Sequence, residues 1–69
     1  MPTFREFVRA AFAQRRKKLK SAWKGARGLG AEALGRVAER AAIDLERRGE
    51  TLSVDEFRRM AVAVDAELG

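Results

Sequence analysis

The sequence predicts a small all-α domain of three helices, of which the first is long and basic. Three observations support this fold class. Apolar residues recur at helical spacing in three segments, capping-box pairs precede two of these segments, and glycines lie between them. No segment shows the alternating apolar pattern that is typical of a β-strand. With 69 residues, we expect residues 1–69 to form a single domain with a small core.

The first predicted helix extends from Phe4 to Arg27. Thr3 and Glu6 have the spacing of a capping box, so we expect the helix to begin at Phe4 and to fray from about Trp23, before a loop over residues 25–30. A helical projection places an apolar stripe on one side, formed by Phe4, Phe7, Val8, Ala11, Phe12, Leu19 and Ala22. The opposite side carries a basic stripe of Arg9, Arg16, Lys20, Lys24 and Arg27. The apolar stripe is predicted to face the core.

Two further helices are predicted in the second half of the chain. The second begins near Ala31 and ends either near Ala42 or at Gly49, and its apolar face consists of Leu34, Val37, Ala38, Ala41 and Leu45. The third has Ser53 as its N-cap and Glu56 as the other member of a capping box, and it fades near Leu68. Its apolar stripe is formed by Val54, Phe57, Met60, Ala61 and Val64.

Composition and charge restrict the function. The chain contains neither cysteine nor histidine, which removes disulfides, the usual zinc ligands and the commonest general base, so we predict no catalytic site and no metal site. We see no signal peptide and no membrane-spanning apolar run, and we expect a cytoplasmic protein without a membrane partner. Residues 1–30 carry nine basic side chains and one acidic, whereas residues 31–69 carry six basic and nine acidic. This polarity favours a polyanionic partner.

Two segments resemble the C-terminal domain of bacterial 16S ribosomal RNA adenine N6,N6-dimethyltransferases. The first is Phe12-Ala-Gln-Arg-Arg-Lys-Lys-Leu-Lys20, which is similar to that family's F-x-Q-R-R-K-x-L segment. The second comprises Ile43-Asp44, Arg47-Arg48-Gly49-Glu50-Thr51-Leu52-Ser53 and Glu56-Phe57. The order and spacing of both agree with the family, although Ala42 stands where the family usually has glycine and Leu45 where it usually has proline.

The resemblance implies a substrate-docking domain that binds small-subunit ribosomal RNA, or a pre-30S particle, during ribosome biogenesis. It also implies that S-adenosylmethionine is the cofactor of the parent enzyme, held by a catalytic domain in cis if the chain is a fragment. We find no counterpart of that domain here, since Gly28-Leu-Gly30 follows a helix rather than a strand and cannot be read as a nucleotide-binding loop. We therefore expect no cofactor in this chain and a monomer.

Basic residues on the outer side of the first helix are the candidate RNA-binding residues: Arg9, Arg16, Lys17, Lys20, Lys24 and Arg27. Arg15 instead projects onto the apolar stripe, between Phe12 and Leu19. A half-buried arginine needs an acidic partner, so we predict a structural ion pair between Arg15 and Glu50, with Asp44 as the alternative. Trp23 is interpreted as a residue at the edge of the core, although stacking on an RNA base is also open.

Other classes of partner remain open from sequence alone. A stand-alone three-helix DNA-binding module is the main alternative, but a helix-turn-helix protein would carry its recognition residues on a later helix. Here the basic face lies on the first helix and the third is acidic. A third possibility is that the first helix binds a membrane surface or another protein through its apolar stripe. This is disfavoured, because the two other amphipathic helices can bury that stripe within the domain.

Overall fold

The computed structural model describes residues 2–69, and within them it contains four α-helices. These are α1 (Pro2–Ala13), α2 (Leu19–Ala22), α3 (Ala31–Ala41) and α4 (Val54–Leu68), with 3-10 turns at Ala26–Gly28 and Gly49–Thr51. Residues 2–69 contain no β-strand, and their only β-type pairing is an isolated antiparallel bridge between Lys18 and Arg48. The predicted all-α fold is confirmed.

The first helix is shorter than predicted, because the chain turns back after Ala13. The helical segment that follows, α2, is attached to the loop before α4. The backbone N–H of Leu19 donates to the carbonyl of Arg47 at 2.8 Å, and that of Lys20 to the carbonyl of Leu45 at 3.1 Å. The turn allows Leu19 and Trp23 to be completely buried. Burial of these two large side chains favours the broken helix over a continuous one.

The predicted capping box of Thr3 and Glu6 is wrong. Helix α1 already includes Pro2, a residue suited to the first turn of a helix because its missing N–H needs no partner there. The Thr3 side chain is buried instead, and its hydroxyl donates to Asp65 Oδ1 in α4 at 2.6 Å. A carboxylate oxygen of Glu6 accepts the backbone N–H of Arg27 at 2.9 Å. Both polar side chains therefore make long-range contacts.

The later helices agree closely with the predicted ones. Helix α3 ends at Ala41, and Ala42 adopts a left-handed conformation with φ of 60°. The N–H of Ile43 donates to Ala38 and the N–H of Ala42 donates to Glu39, which is a Schellman arrangement that places Ile43 in the core. The capping box of α4 is confirmed, since Ser53 and Glu56 exchange hydrogen bonds of 2.9 and 3.2 Å.

The core lies where α4 packs against both α1 and α3. Three aromatic rings meet there. The centroid of Trp23 is 5.0 Å from that of Phe7 and 6.3 Å from that of Phe57. The predicted burial of Phe7 and Phe57 is confirmed, whereas Phe12 is 51% exposed and its predicted place in the core is wrong. The core thus leaves part of the apolar side of α1 at the surface.

Candidate nucleic-acid interface

A continuous basic surface follows α1 into the turn after it. One shallow groove is lined by Arg5, Arg9, Phe12 and neighbouring apolar residues of α1, and the adjoining groove is lined by residues 12–17. We call this the α1 basic surface and define it by its five cations and the aromatic side chain between them: Arg5, Arg9, Phe12, Arg15, Arg16 and Lys17. All six are exposed, and none of the five cations makes an ion pair with another residue of the described range 2–69.

Five unpaired cations on one surface are electrostatically unfavourable. Their charges repel one another, and the neighbouring acid, Glu6, directs its carboxylate to the backbone of Arg27 instead. A polyanion placed on the surface would relieve this repulsion and release its own counterions. The arrangement is therefore suited to binding successive phosphates.

The structure separates the predicted binding residues into two groups. Arg9, Arg16 and Lys17 lie on the α1 basic surface. Lys20, Lys24 and Arg27 lie beyond the turn, on α2 or after it, so the single straight stripe predicted for a continuous helix does not exist. Since α1 ends at Ala13, helical projection beyond that residue gives the wrong faces.

Two basic residues of this surface, Arg5 and Arg15, were not among the predicted binding residues. Arg15 was left out because the projection placed it among apolar residues, whereas Arg5 projects onto the same side as Arg9 and Arg16 and was overlooked. A simpler signal was available, since residues 7–31 contain no acidic side chain. Reading the charge of that whole run, without assuming one helix, would have included both.

Lys20 is engaged by an acid of the same chain. Its Nζ lies 2.9 Å from Glu46 Oε2, while Lys18 Nζ lies 2.7 Å from Glu46 Oε1. The hydrogen bond from Lys18, supported by that from Lys20, lowers the pKa of Glu46 from 4.5 to about 2. Glu46 thus remains ionised and offsets part of the positive charge beside α2. A polyanion at this site would have to compete with that carboxylate.

The predicted ion pair of Arg15 with Glu50 is not formed. Both side chains are exposed, and neither pairs with any charged residue in the part of the chain that the structure describes, residues 2–69; Asp44 is exposed and likewise unpaired. The prediction assumed that Arg15 occupied a helical position, but it lies in the turn after α1. Arg15 is consequently free to contribute to the α1 basic surface.

A different arginine makes the structural ion pair. Arg47 donates from its guanidinium to both carboxylate oxygens of Glu56 and also to the hydroxyl and the carbonyl of Thr51. The hydrogen bond from Arg47 is the main cause that lowers the pKa of Glu56 from 4.5 to about 2, and the hydrogen bond from the backbone N–H of Ser53 is the second. Glu56 in turn raises the pKa of Arg47. The pair joins the loop before α4 to the first turn of that helix.

A second groove lies between the end of α3 and α4. Its lining combines Arg40, Arg58 and Arg59 with small apolar side chains, and Val62 there is 55% exposed. Arg59 Nη1 lies 3.5 Å from Asp55 Oδ2, whereas Arg40 and Arg58 form no ion pair with another of the residues 2–69. With two unpaired cations on two helices, this groove is the weaker candidate for a polyanion.

Residues 2–69 show neither a metal-binding cluster nor a membrane-spanning helix. Within them, acidic side chains do not come together in groups of three or more that could hold a metal ion. Nor does any helix in that range have the length and apolar character needed to cross a bilayer.

Comparison with known proteins identifies relatives named Ribosomal RNA small subunit methyltransferase A. The protein of that name from Desulfitobacterium hafniense is 44% identical over 61 residues, covering 88% of this chain and 22% of the relative. The Syntrophotalea carbinolica protein is 52% identical over 58 residues, covering 84% and 22%. The Clostridium acetobutylicum protein is 47% identical over 58 residues, covering 84% and 21%.

The match lies at the C-terminal end of these relatives, and this chain spans about a fifth of their length. The resemblance found in the two sequence segments is therefore confirmed. No family model matches the chain. No solved structure matches it either.

Proposed function

Because the chain corresponds to the C-terminal end of the ribosomal RNA small subunit methyltransferase A proteins, we propose that it is an RNA-docking domain for small-subunit ribosomal RNA. The observation that carries the proposal is the α1 basic surface, where five exposed cations have no ion-pair partner within residues 2–69. Residues 1–69 would act as one domain.

The physical role of this domain is to add affinity and to fix orientation. Arg5, Arg9, Arg15, Arg16 and Lys17 neutralise phosphates without reading sequence, and the shape of the folded RNA supplies selectivity. Of the other predicted cations, Lys24 and Arg27 extend the contact beyond the turn. Lys20 contributes less, because Glu46 competes with the phosphate for its ammonium group.

The wider setting follows from the relatives. We propose that this docking serves methylation of small-subunit ribosomal RNA during ribosome biogenesis in the cytoplasm, with a pre-30S particle as partner. The methyl-transfer chemistry and its S-adenosylmethionine would belong to a catalytic domain in cis, and the domain would bind as a monomer. The contribution of this chain is binding, through the side chains of α1 and the turn that follows.

The experiment compares two double variants that carry the same change in net charge. Arg9→Glu with Arg16→Glu reverses two cations of the α1 basic surface, and Arg40→Glu with Arg58→Glu reverses two unpaired cations in the groove between α3 and α4. Affinity for small-subunit ribosomal RNA is measured over a series of salt concentrations. Each lost phosphate contact lowers the slope of log affinity against log salt by about 0.7–0.9.

We expect the first double variant to lose affinity and to flatten the salt dependence, with the second close to wild type. Both should melt near the wild-type temperature, since all four side chains are exposed. Equal losses in the two variants would show that net charge alone drives binding and would overturn the localised surface. Affinity for duplex DNA equal to that for the ribosomal RNA would favour the DNA-binding alternative instead.

A further inference from the structure

Phe12 is an aromatic side chain at the surface that also packs against the core. It is 51% exposed, yet its ring centroid lies 6.0 Å from that of the buried Phe57, with the two planes inclined by 37°. The ring therefore rests on the core on one side and meets solvent on the other. A supported ring loses little side-chain entropy when a flat partner covers it.

The surroundings of Phe12 indicate which partner that would be. The grooves on either side of the ring share Phe12 in their lining; one carries Arg5 and Arg9, and the other Arg15, Arg16 and Lys17. A protein surface docked on this ring would desolvate these cations without a matching charge unless it were strongly acidic. An unpaired nucleotide would cover the ring and neutralise the cations at the same time. Its flat base stacks on the ring, and its 5′ and 3′ phosphates lie beside the base, where they can meet the cations.

We propose that Phe12 is a stacking platform for an unpaired base of single-stranded or looped RNA, with the flanking cations holding the phosphates on either side. The proposal rests on the proposed function, because it places the base within the α1 basic surface. Trp23, the aromatic residue for which stacking was considered from sequence, cannot fill this role. It is completely buried, and its indole N–H donates to the carbonyl of Phe7.

The test uses two probes, single-stranded oligoadenylate and an adenine–uracil duplex of the same length. Phe12→Leu keeps apolar packing against Phe57 and removes the aromatic face, whereas Phe12→Trp keeps an aromatic face. Loss of one stacked base corresponds to an affinity loss of about 5- to 150-fold. We expect Phe12→Leu to lose affinity in this range for the single strand and to keep its affinity for the duplex. Phe12→Trp should retain both.

Two further measurements separate stacking from charge. The salt slope of Phe12→Leu should equal that of wild type, because no phosphate contact is removed. The indole emission of Phe12→Trp should be quenched by the single strand, while the emission of wild type, from buried Trp23, should not change. Val62→Ala, which truncates an apolar side chain of similar exposure on α4, should bind both probes as wild type does.

Several outcomes would overturn the proposal. If wild type and Phe12→Leu bind the single strand equally well through a salt-dependent contact, the proposed function stands and the stacking fails. If wild type binds neither the single strand nor the duplex, the proposed function and the stacking proposal both fail. If Phe12→Leu weakens duplex and single strand alike, the ring has only a general role in the surface. A dimer of wild type that Phe12→Leu dissociates would show that a second copy covers the ring.

Discussion

The indole Nε1 of Trp23 donates a hydrogen bond of 2.9 Å to the carbonyl oxygen of Phe7, 16 residues earlier in the chain. In one continuous helix these two residues would be separated by about 24 Å along the axis. The contact therefore exists only because the chain reverses direction after α1. It joins the two halves of the segment whose sequence reads as a single helix.

Replacing Trp23 by phenylalanine should destabilise the protein by about 1–3 kcal/mol. The variant loses one buried hydrogen bond and leaves space beside Phe7 and Phe57 that a smaller ring does not fill. Chemical denaturation measures the change in the free energy of unfolding. The Phe12→Leu variant serves as a comparison, since it alters an exposed ring. An unchanged free energy in Trp23→Phe would mean that the hydrogen bond and the packing contribute nothing.

Gly49 is required by its close approach to α1. A Cβ atom at this position would lie 2.7 Å from Ala11 Cβ and 2.8 Å from the Ala11 carbonyl oxygen, and a helix backbone cannot easily yield. We expect Gly49→Ala to cost about 1–3 kcal/mol as an overpacked contact. Gly35→Ala is the matched control: it lies in α3, and a Cβ there meets nothing within 4 Å.

That control should move in the opposite direction, since alanine is favoured over glycine within a helix by about 0.5–1 kcal/mol. Thermal denaturation of both variants gives the comparison. If Gly49→Ala were as stable as wild type, the separation between Ala11 and the 3-10 turn at Gly49–Thr51 would have to be wider than the structure shows.

Ala42 is a position where glycine should improve the protein. Its φ of 60° is a left-handed conformation that costs an L-residue about 1–2 kcal/mol, and it is enforced by the Schellman turn that buries Ile43. We expect Ala42→Gly to raise the free energy of unfolding by about 0.5–1 kcal/mol. Ala66→Gly, at an exposed position in α4, should lower it. Destabilisation of both variants to the same extent would contradict the left-handed geometry.

The pH dependence of stability should contain a contribution from Glu56. Its pKa is lowered from 4.5 to about 2 in the folded state by Arg47 and the Ser53 N–H, so the unfolded state binds more protons between these values. The contribution of Glu56 to the free energy of unfolding is fully present above pH 4.5 and is lost as the pH falls towards 2. In Glu56→Gln, the melting temperature should therefore fall less steeply than in wild type over that acidic range.

Glu46→Gln provides the comparison for the acidic range. The pKa of Glu46 is also lowered to about 2, by Lys18 and then Lys20, so it should act in the same direction. Its side chain is 54% exposed, against 19% for Glu56, and its ion pairs are more strongly screened by water and salt. We expect the smaller change from Glu46→Gln, and a smaller one still in high salt. Identical acid profiles for wild type and Glu56→Gln would remove the role assigned to the ion pair.

Local sequence signals are sufficient for the all-α class, the start of α3, the extent of α4 and the resemblance to the relatives. These features depend on signals only a few residues apart, such as the Ser53–Glu56 capping box and the apolar spacing of α3, so no knowledge of the remaining chain is needed. Part of the candidate site could also be predicted, because the positive charge of residues 1–30 is visible in the sequence and Arg9 lies within α1, where helical projection holds.

The end of the first helix depends on tertiary packing, and so do the side chains that each of its faces presents. Residues 14–18 are compatible with a helix by local propensity, but burial of Leu19 and Trp23 against residues far along the chain favours a turn. That turn releases Arg15 from the apolar side and buries Trp23. The exposure of Phe12 likewise follows from the packing of α1 on α4, and Arg47 reaches Glu56 through a loop conformation. Each result depends on contacts between distant residues, which local periodicity does not encode.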